Sequence, residues 1–209
     1  MVDLPFAATT PIRVARIGLK ARDADSLAAC YKRILGMSEL TRGNGRRVLG
    51  VGGRPLMEIE ESASAKEDDA RGAGLYHTAF LLPTRADLAR WTRFAIDERI
   101  PVVGASDHFV SEAIYLTDPE GNGVEIYADR PKESWSWNGD FVQMGTEQLD
   151  VRDLLGEIRK GGTWKGAPES SVIGHVHLRV GDSGVAEKWW NSEMGFDTVQ
   201  RLDGSAVFL

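Results

Sequence analysis

The sequence RIGLKARD at residues 16–23 alternates apolar and polar positions and ends in an aspartate, and HVHLRVGD at residues 175–182 repeats this pattern. Such alternation predicts a strand, and after both stretches apolar residues recur at the spacing of an amphipathic helix. Gly36 and Gly195 follow at the same distance from the two strands, where glycine suits the left-handed turn that ends a helix. The chain therefore repeats one strand-then-helix unit.

A third copy of the unit begins at residues 76–83, YHTAFLLP, and continues into a predicted helix. In the first two copies along the chain, β-rich sequence follows the helix, and the turn DPEGNG at residues 118–123 leads into a last strand. Both copies are predicted as βαβββ modules, over residues 11–62 and 72–128. The predicted fold class is α+β, with these modules paired into a cup-shaped mixed sheet within a domain of residues 1–128.

The rest of the chain divides into a linker and an unfinished module. Residues 129–171 lose the repeating pattern, which indicates a linker between domains. Residues 172–209 contain the strand and helix of a third βαβββ module, but they end before its last strand. An incomplete sheet exposes unpaired backbone groups. We therefore expect either a truncated product or a homodimer in which a second chain completes the third module.

The composition indicates a soluble globular protein, because hydrophobic residues make up 42% of the chain and charged residues 27%. The net charge of -6 disfavours binding to nucleic acid or to an anionic membrane surface. No apolar run approaches the ~20 residues that a membrane-spanning helix needs. A single cysteine, Cys30, excludes an internal disulfide and fits a reducing compartment, so we expect a cytoplasmic protein.

Four polar residues are predicted to meet in the cup. Side chains alternate between the two faces of a strand, so His77 and Glu125 point away from the apolar positions that pack under the helix. Arg16 and Glu58 hold the corresponding positions on the first and last strands of the first module. If the two sheets face one concave space, these four side chains converge in it.

These residues resemble the vicinal oxygen chelate superfamily of glyoxalases, extradiol dioxygenases and bleomycin-resistance proteins. HTAF at residues 77–80 and HVHL at residues 175–178 are similar to its first-strand metal-binding pattern, and DPEGNGVEIY at residues 118–127 is similar to its fourth-strand element. The resemblance implies cups that are built from paired βαβββ modules around a divalent metal ion. Around residues 81–83 and 111–113 the sequence looks most like catechol 2,3-dioxygenases.

By this resemblance, the protein binds a small aromatic diol on Fe(II) or Mn(II), activates dioxygen and cleaves the catecholic ring beside the diol. The expected metal ligands are His77 and Glu125, with Glu58 as the third. Arg16 stands where the resemblance would place a first histidine, and a guanidinium stays protonated and does not bind a cation. Arg16 is therefore expected to hold an anionic substrate.

Three further residues are candidates around this site. Tyr127 and His108 are expected to transfer protons near the metal. The resemblance also implies a metal site in the second half of a dioxygenase, built by one histidine of the third module and two ligands of a fourth. Of that set this chain has His175, so the sequence predicts an incomplete second-half site with a vestigial role for this histidine.

Several alternatives stay open at this point. Arg16 and Glu58 would also be explained by a structural ion pair without any metal ion. His108 would equally suit a surface loop. A glyoxalase-like isomerase would use the same scaffold without consuming oxygen, and a non-catalytic binding protein of the bleomycin-resistance type would hold a small molecule without converting it. Oxygen consumption and metal content distinguish these classes.

Overall fold

The computed structural model describes residues 10–158, 162–202 and 205–209. Residues 1–9, 159–161 and 203–204, which belong to the predicted domain, linker and third module, lie outside the described residues. Within the described ranges, no helix combines the length and apolar character needed to cross a membrane.

The first module is a four-stranded sheet with one helix packed on it. It comprises β1 (Ile17–Ala21), α1 (Ala24–Leu35), β2 (Ser38–Gly43), β3 (Arg46–Val51) and β4 (Arg54–Glu61). The strand order is β1-β4-β3-β2, and β4 runs parallel to β1 and antiparallel to β3. This is the predicted βαβββ arrangement.

The second module has the same order of elements. It comprises β5 (Gly74–Leu81), α2 (Arg85–Asp97), β6 (Gly104–Asp107), β7 (Ser111–Thr117) and β8 (Gly123–Asp129). β8 runs parallel to β5, as β4 does to β1, and β6, β7 and β8 form antiparallel pairs. The equivalence of the two modules, which the sequence repeat predicts, is therefore confirmed.

The segment predicted as a linker carries its own short elements. They are β9 (Trp137–Asn138), β10 (Phe141–Val142), β11 (Glu147–Gln148) and α3 (Val151–Gly156). β9 pairs with β10, while β11 adds to the sheet of the second module by pairing antiparallel with β6. α3 packs against α2, and Arg85 of α2 donates to Asp153 of α3 at 2.6 Å. Part of the segment is thus an extension of the second module.

The third module supplies a strand to the second. It comprises β12 (Val172–Arg179), α4 (Ser183–Met194), β13 (Gln200–Leu202) and β14 (Ala206–Phe208). β12 pairs antiparallel with β5 and completes a six-stranded sheet in the order β11-β6-β7-β8-β5-β12. β13 and β14 form a separate antiparallel pair.

The pairing of modules differs from the sequence prediction, although the α+β class and the βαβββ modules are confirmed. We predicted that the first two modules share a sheet, but β1 and β5 lie in separate sheets of the described chain. The reason is geometric: β8 occupies one edge of β5 and β12 occupies the other. No edge of β5 is left for the first module, so the second and third modules build the cup.

The first two modules are joined by a shared core instead of a shared sheet. The indole N–H of Trp91 on α2 donates to the backbone oxygen of Ile34 on α1 at 2.8 Å. The ring of Tyr31 on α1 packs against Phe80 on β5, with 5.9 Å between the ring centres, and its hydroxyl donates to Asp118 at 3.0 Å. These contacts are buried, so the first module stabilises the outer side of the cup.

The ends of α1 and α4 have the same local structure, which explains why the sequence repeat can be recognised. Asp23 and Asp182 precede α1 and α4, and each side chain accepts a hydrogen bond from a backbone N–H of the first helical turn. Gly36 and Gly195 end the same helices with φ of 65° and 71°, a left-handed conformation that glycine adopts without steric cost. Both ends agree with the prediction.

The DPEGNG turn sets the position of β8. Asp118 Oδ1 accepts hydrogen bonds from the backbone N–H groups of Glu120 and Asn122, both at 2.9 Å, which closes the turn. Gly123 then begins β8 directly opposite His77, and a Cβ at this position would lie 2.8 Å from the His77 Cβ. Glycine therefore lets β8 start beside His77, two residues before Glu125.

Candidate metal centre

Three strands bring three side chains together over Ala79. Along β5 and β8 Ala79 lies opposite Glu125, and along β5 and β12 it lies opposite His175. Residues directly opposite each other in neighbouring strands present their side chains on one face of the sheet. His77 shares this face because it lies two residues before Ala79 on β5. The three side chains therefore meet above the small, fully buried side chain of Ala79.

The ligand atoms of these residues form a compact triangle. His77 Nε2 is 2.9 Å from Glu125 Oε2, His175 Nε2 is 3.2 Å from the same oxygen, and the two Nε2 atoms are 3.3 Å apart. Neighbouring ligands at ~2.1 Å from an octahedral ion are about 3.0 Å apart. In the described part of the chain, no other three His, Cys, Asp or Glu ligand atoms lie so close together. The triangle fits one face of an octahedral divalent ion.

The charge state of Glu125 suits metal binding. Its side chain is only 3% exposed, and burial by itself would raise the pKa of the carboxyl group. Hydrogen bonds from His175 and His77 outweigh burial and lower the pKa of Glu125 to about 2. The carboxylate is thus ionised at neutral pH, while His175, with 45% of its side chain exposed, lies on the open side of the cup.

Tyr127 lies behind His175 and fixes its ring. The Tyr127 hydroxyl is 3.4 Å from His175 Nδ1, on the side of the imidazole away from Glu125. A Cβ on residue 174 would overlap the Tyr127 hydroxyl oxygen, so this approach requires Gly174. Burial, with further contributions from Asp129 and Glu125, raises the pKa of Tyr127 well above 10. Tyr127 therefore stays protonated and orients His175.

Comparison with known proteins places the chain in a family. A family model described as the glyoxalase/bleomycin resistance protein/dioxygenase superfamily matches residues 13–126. The chain belongs to this superfamily. Its sequence is 37% identical over 199 residues to a catechol-2,3-dioxygenase of Bacillus subtilis. The matched region covers 91% of this chain and 68% of that protein. The resemblance drawn from the sequence motifs is therefore confirmed.

Two further known proteins are similar to parts of the chain. A biphenyl-2,3-diol 1,2-dioxygenase of Rhodococcus globerulus is 34% identical over 108 residues, which is 47% of this chain and 53% of that protein. The crystal structure of a glyoxalase/dioxygenase from Nostoc punctiforme superposes with a TM-score of 0.50 at 18% identity, over 63% of this chain and all of that one. The structural likeness supports the superfamily fold.

Glu58, predicted as the third ligand, does not lie in the triangle. Its carboxylate contacts Arg46 and lies 3.6 Å from Arg16 Nη1, within the sheet of the first module. The prediction assumed that the first and second modules share a sheet, whereas β12 takes that place. His175, predicted to be vestigial, supplies the third atom of the triangle. Arg16 is half exposed and paired with Glu58. This arrangement agrees with the alternative in which the two residues form a structural ion pair without a metal ion.

His108 is connected to the triangle through Tyr115, a residue that the sequence reasoning missed. His108 Nε2 lies 2.7 Å from the Tyr115 hydroxyl, and Tyr115 on β7 lies opposite Glu125 on β8. Burial, and then the charge of Glu125, raise the pKa of Tyr115 far above its usual value near 10, so its hydroxyl keeps its proton. The sequence does contain a signal for this residue. The DPEGNG turn joins β7 to β8 as a hairpin, and the antiparallel register of this hairpin places Tyr115 opposite Glu125.

A fourth histidine, His177, flanks the triangle without joining it. Its ring lies edge-on to His77, with 5.0 Å between the ring centres, and also contacts Tyr76 at 4.8 Å. Burial lowers the pKa of His177, and the neighbouring His77 and His175 lower it further. A neutral ring at this position packs against His77 without adding a positive charge beside it.

Proposed function

We propose that the protein is a metal-dependent extradiol dioxygenase that cleaves a catecholic ring beside the diol. The observation that carries the proposal is the triangle of His77, Glu125 and His175, in which two nitrogens and one oxygen lie at the spacing of an octahedral face. Two histidines and one carboxylate on one face, with the opposite positions free, are the ligand set of non-haem Fe(II) oxygenases. Fe(II) or Mn(II) is the proposed ion.

The charges of this ligand set favour an activating ion. Two neutral imidazoles and the Glu125 carboxylate leave a net charge of about +1 on a divalent ion, whereas two carboxylates would neutralise it. When bound, the ion would supply Lewis acidity toward the substrate oxygens and electrons toward dioxygen. The exposed side of His175 leaves the triangle open to a small diol.

Protein groups next to the triangle can accept a proton from the diol. His108 Nδ1 lies 2.8 Å from the carbonyl oxygen of Gly145, and because a carbonyl only accepts, Nδ1 carries the proton. In neutral His108, Nε2 is then free to accept the proton of the Tyr115 hydroxyl 2.7 Å away. A proton that leaves the substrate can thus reach His108 through Tyr115.

The proposal is tested by oxygen uptake with metal-loaded protein. Metal-free protein is loaded with Fe(II) or Mn(II) under anaerobic conditions, mixed with catechol or a substituted catechol, and placed in an oxygen electrode. We expect oxygen and diol to disappear in equal amounts, and a product whose mass equals diol plus one dioxygen molecule. His175→Ala and Glu125→Gln should lose the bound metal and the oxygen uptake together.

Glu58→Gln is the matched control, since this carboxylate lies in the other sheet and pairs with Arg16. It should keep both metal and oxygen uptake. Stoichiometric metal without oxygen uptake for any catechol would contradict the dioxygenase and favour an isomerase. Wild-type protein that takes up no divalent metal would contradict the metal centre and favour a binding protein.

The setting of this activity follows from the remaining sequence features. We propose that the protein acts in the cytoplasm, where Cys30 would stay reduced. Its proposed partners are a small aromatic diol and dioxygen. Completion of the third module by a second copy of the chain stays a prediction, which the molar mass in solution tests.

A further inference from the structure

The turn that carries His108 has an unusual backbone. It connects β6 to β7 through residues 107–110, named here the His108 turn. Phe109 in this turn has φ of 70°, a left-handed conformation that bulky side chains rarely adopt. Such a conformation persists only where the surrounding contacts hold it. The contacts of the His108 turn are therefore the interactions that hold the Phe109 backbone in this conformation.

One clamp on the turn is the side chain of Asp107. Its Oδ1 accepts a hydrogen bond from the backbone N–H of Phe109 at 2.8 Å, and its Oδ2 accepts one from Arg130 Nη2 at 2.6 Å. Arg130 holds the other end as well, because its backbone N–H donates to the Val110 oxygen at 2.7 Å. The same guanidinium donates to Glu112 at 3.1 Å, and Glu112 is almost fully buried. The turn is thus anchored to a buried carboxylate.

A second clamp comes from the segment that the sequence indicated as a linker. The Gly145 oxygen accepts the hydrogen bond from His108 Nδ1, and the Gly145 N–H points back at the His108 oxygen at 3.4 Å. A Cβ on residue 145 would overlap the ring of Phe109. The strained conformation of Phe109 therefore lays its ring on Gly145 and keeps the Gly145 carbonyl against His108.

We propose that Asp107 and Arg130 are positioning residues that lock the His108 ring in one orientation and one tautomer. In the locked state Nδ1 donates to Gly145 and Nε2 accepts from the Tyr115 hydroxyl. A ring released from this turn would lose the contact that fixes its tautomer and, with it, the free Nε2. The inference rests on the proposed dioxygenase, in which His108 receives the substrate proton.

Two substitutions of Asp107 separate its contacts. Asp107→Ala removes both hydrogen bonds, whereas Asp107→Asn keeps a neutral acceptor for the Phe109 N–H and weakens the contact with Arg130. Asp69→Ala is the matched control, because Asp69 Oδ1 accepts from the Arg71 N–H at 3.0 Å across the same two-residue spacing, in an exposed loop. Arg130→Lys provides a second variant that keeps the positive charge beside Glu112.

The first measurement is the ¹⁵N spectrum of the imidazoles in metal-free protein, which reports the tautomer without any turnover. Wild type and Asp69→Ala should show His108 with its proton on Nδ1. Asp107→Ala should show a mixture of tautomers, with Asp107→Asn in between. If Asp107→Ala fails to fold, Arg130→Lys takes its place in the comparison. A His108 spectrum unchanged in every folded variant of Asp107 and Arg130 would overturn the proposal.

The second measurement is the pH profile of oxygen uptake by metal-loaded protein. Asp107→Ala should lower kcat by about 100-fold, as a displaced catalytic group does, with KM nearly unchanged and the profile shifted. Asp107→Asn should recover part of kcat, and Asp69→Ala should match wild type. A uniform loss without a shift in the profile would indicate a purely structural role. If wild type takes up no oxygen, the proposed dioxygenase activity is wrong. The tautomer measurement on metal-free protein then still tests whether Asp107 and Arg130 position His108.

Discussion

The Nε2 atoms of His77 and His175 lie 3.3 Å apart, although 98 positions separate the two residues in the chain. Their contact depends on the antiparallel pairing of β5 with β12, which places His175 opposite Ala79. The candidate metal centre therefore spans two modules. It forms only when the first strand of the third module has joined the sheet of the second.

A divalent ion that binds this site should stabilise the folded protein. Mn(II) at about 100 times its Kd should raise the free energy of unfolding by about 2.7 kcal/mol, provided that the unfolded chain does not bind it. The measurement is urea unfolding with and without Mn(II). His175→Ala should abolish the increase, and Glu58→Gln should retain it. Full stabilisation of His175→Ala would place the ion elsewhere.

The acid sensitivity of the metal-free protein should depend on Glu125. Its pKa is lowered to about 2 in the folded state, against about 4.5 for an ordinary glutamate. Folding therefore favours the ionised form, so this contribution to stability is present above pH ~4.5 and is lost as the pH falls toward ~2. Urea unfolding at pH 5 and pH 3 should show a smaller loss of stability for Glu125→Gln than for wild type.

The exposed Glu60 provides the control for this comparison, since Glu60→Gln should leave the acid dependence of unfolding unchanged. Equal acid dependence of wild type and Glu125→Gln would mean that the histidines do not hold the carboxylate in its ionised form. The protein must be freed of metal first, because a bound ion would dominate the titration.

The ionised form of Asp129 should destabilise the folded protein, in contrast to the ionised form of Glu125. Burial raises the pKa of Asp129 to about 6; attraction to His175 opposes this shift, and repulsion from Glu125 adds to it. The folded state disfavours the ionised form, so stability is lost as the pH rises from ~4 through ~6. Asp129→Asn should stabilise the metal-free protein at pH 8 by on the order of 3 kcal/mol and have little effect at pH 4.

The exposed Asp140 serves as the reference for Asp129, because it carries the same charge outside the cup. Asp140→Asn should change the urea midpoint by similar small amounts at pH 4 and pH 8. If Asp129→Asn gains nothing at the higher pH, the carboxyl group is better solvated than its position in the sheet indicates.

Local features of the fold could be predicted because short-range physics determines them. Asp23 and Gly36 mark the two ends of α1, and Asp182 and Gly195 mark the ends of α4, through capping contacts within one helical turn. The DPEGNG turn likewise fixes the register that brings Glu125 to β5. Two of the three residues of the candidate metal centre, His77 and Glu125, follow from this local order.

The third residue of the candidate metal centre could not be predicted in the same way, because it depends on which strand pairs with β5. Alternation identifies the faces of β1 and β12 but contains no information about which of them takes the free edge of β5. The prediction paired the first module, which contains β1, with the second. It therefore placed Glu58 and Arg16 in the predicted site and left His175 without a role. Tyr115 was missed for a simpler reason, since the hairpin register that places it opposite Glu125 was not followed back along β7.

Gly174 and Tyr127 should be strongly coupled, because the Tyr127 hydroxyl occupies the space of a side chain at position 174. Gly174→Ala should destabilise the protein by about 1–3 kcal/mol, as other overpacked cores are, and should weaken Mn(II) binding by displacing the adjacent His175. Tyr127→Phe removes the overlapping oxygen but leaves the ring. In the double variant, part of the lost stability should return.

A double-mutant cycle measured by urea unfolding tests this coupling. The expected interaction energy between Gly174→Ala and Tyr127→Phe is about 0.5–3 kcal/mol in the stabilising direction. Additive losses of stability would show that the two residues do not compete for space. If stability returns in the double variant but Mn(II) affinity does not, the hydroxyl that orients His175 Nδ1 is itself required for metal binding, since Tyr127→Phe removes that contact as well.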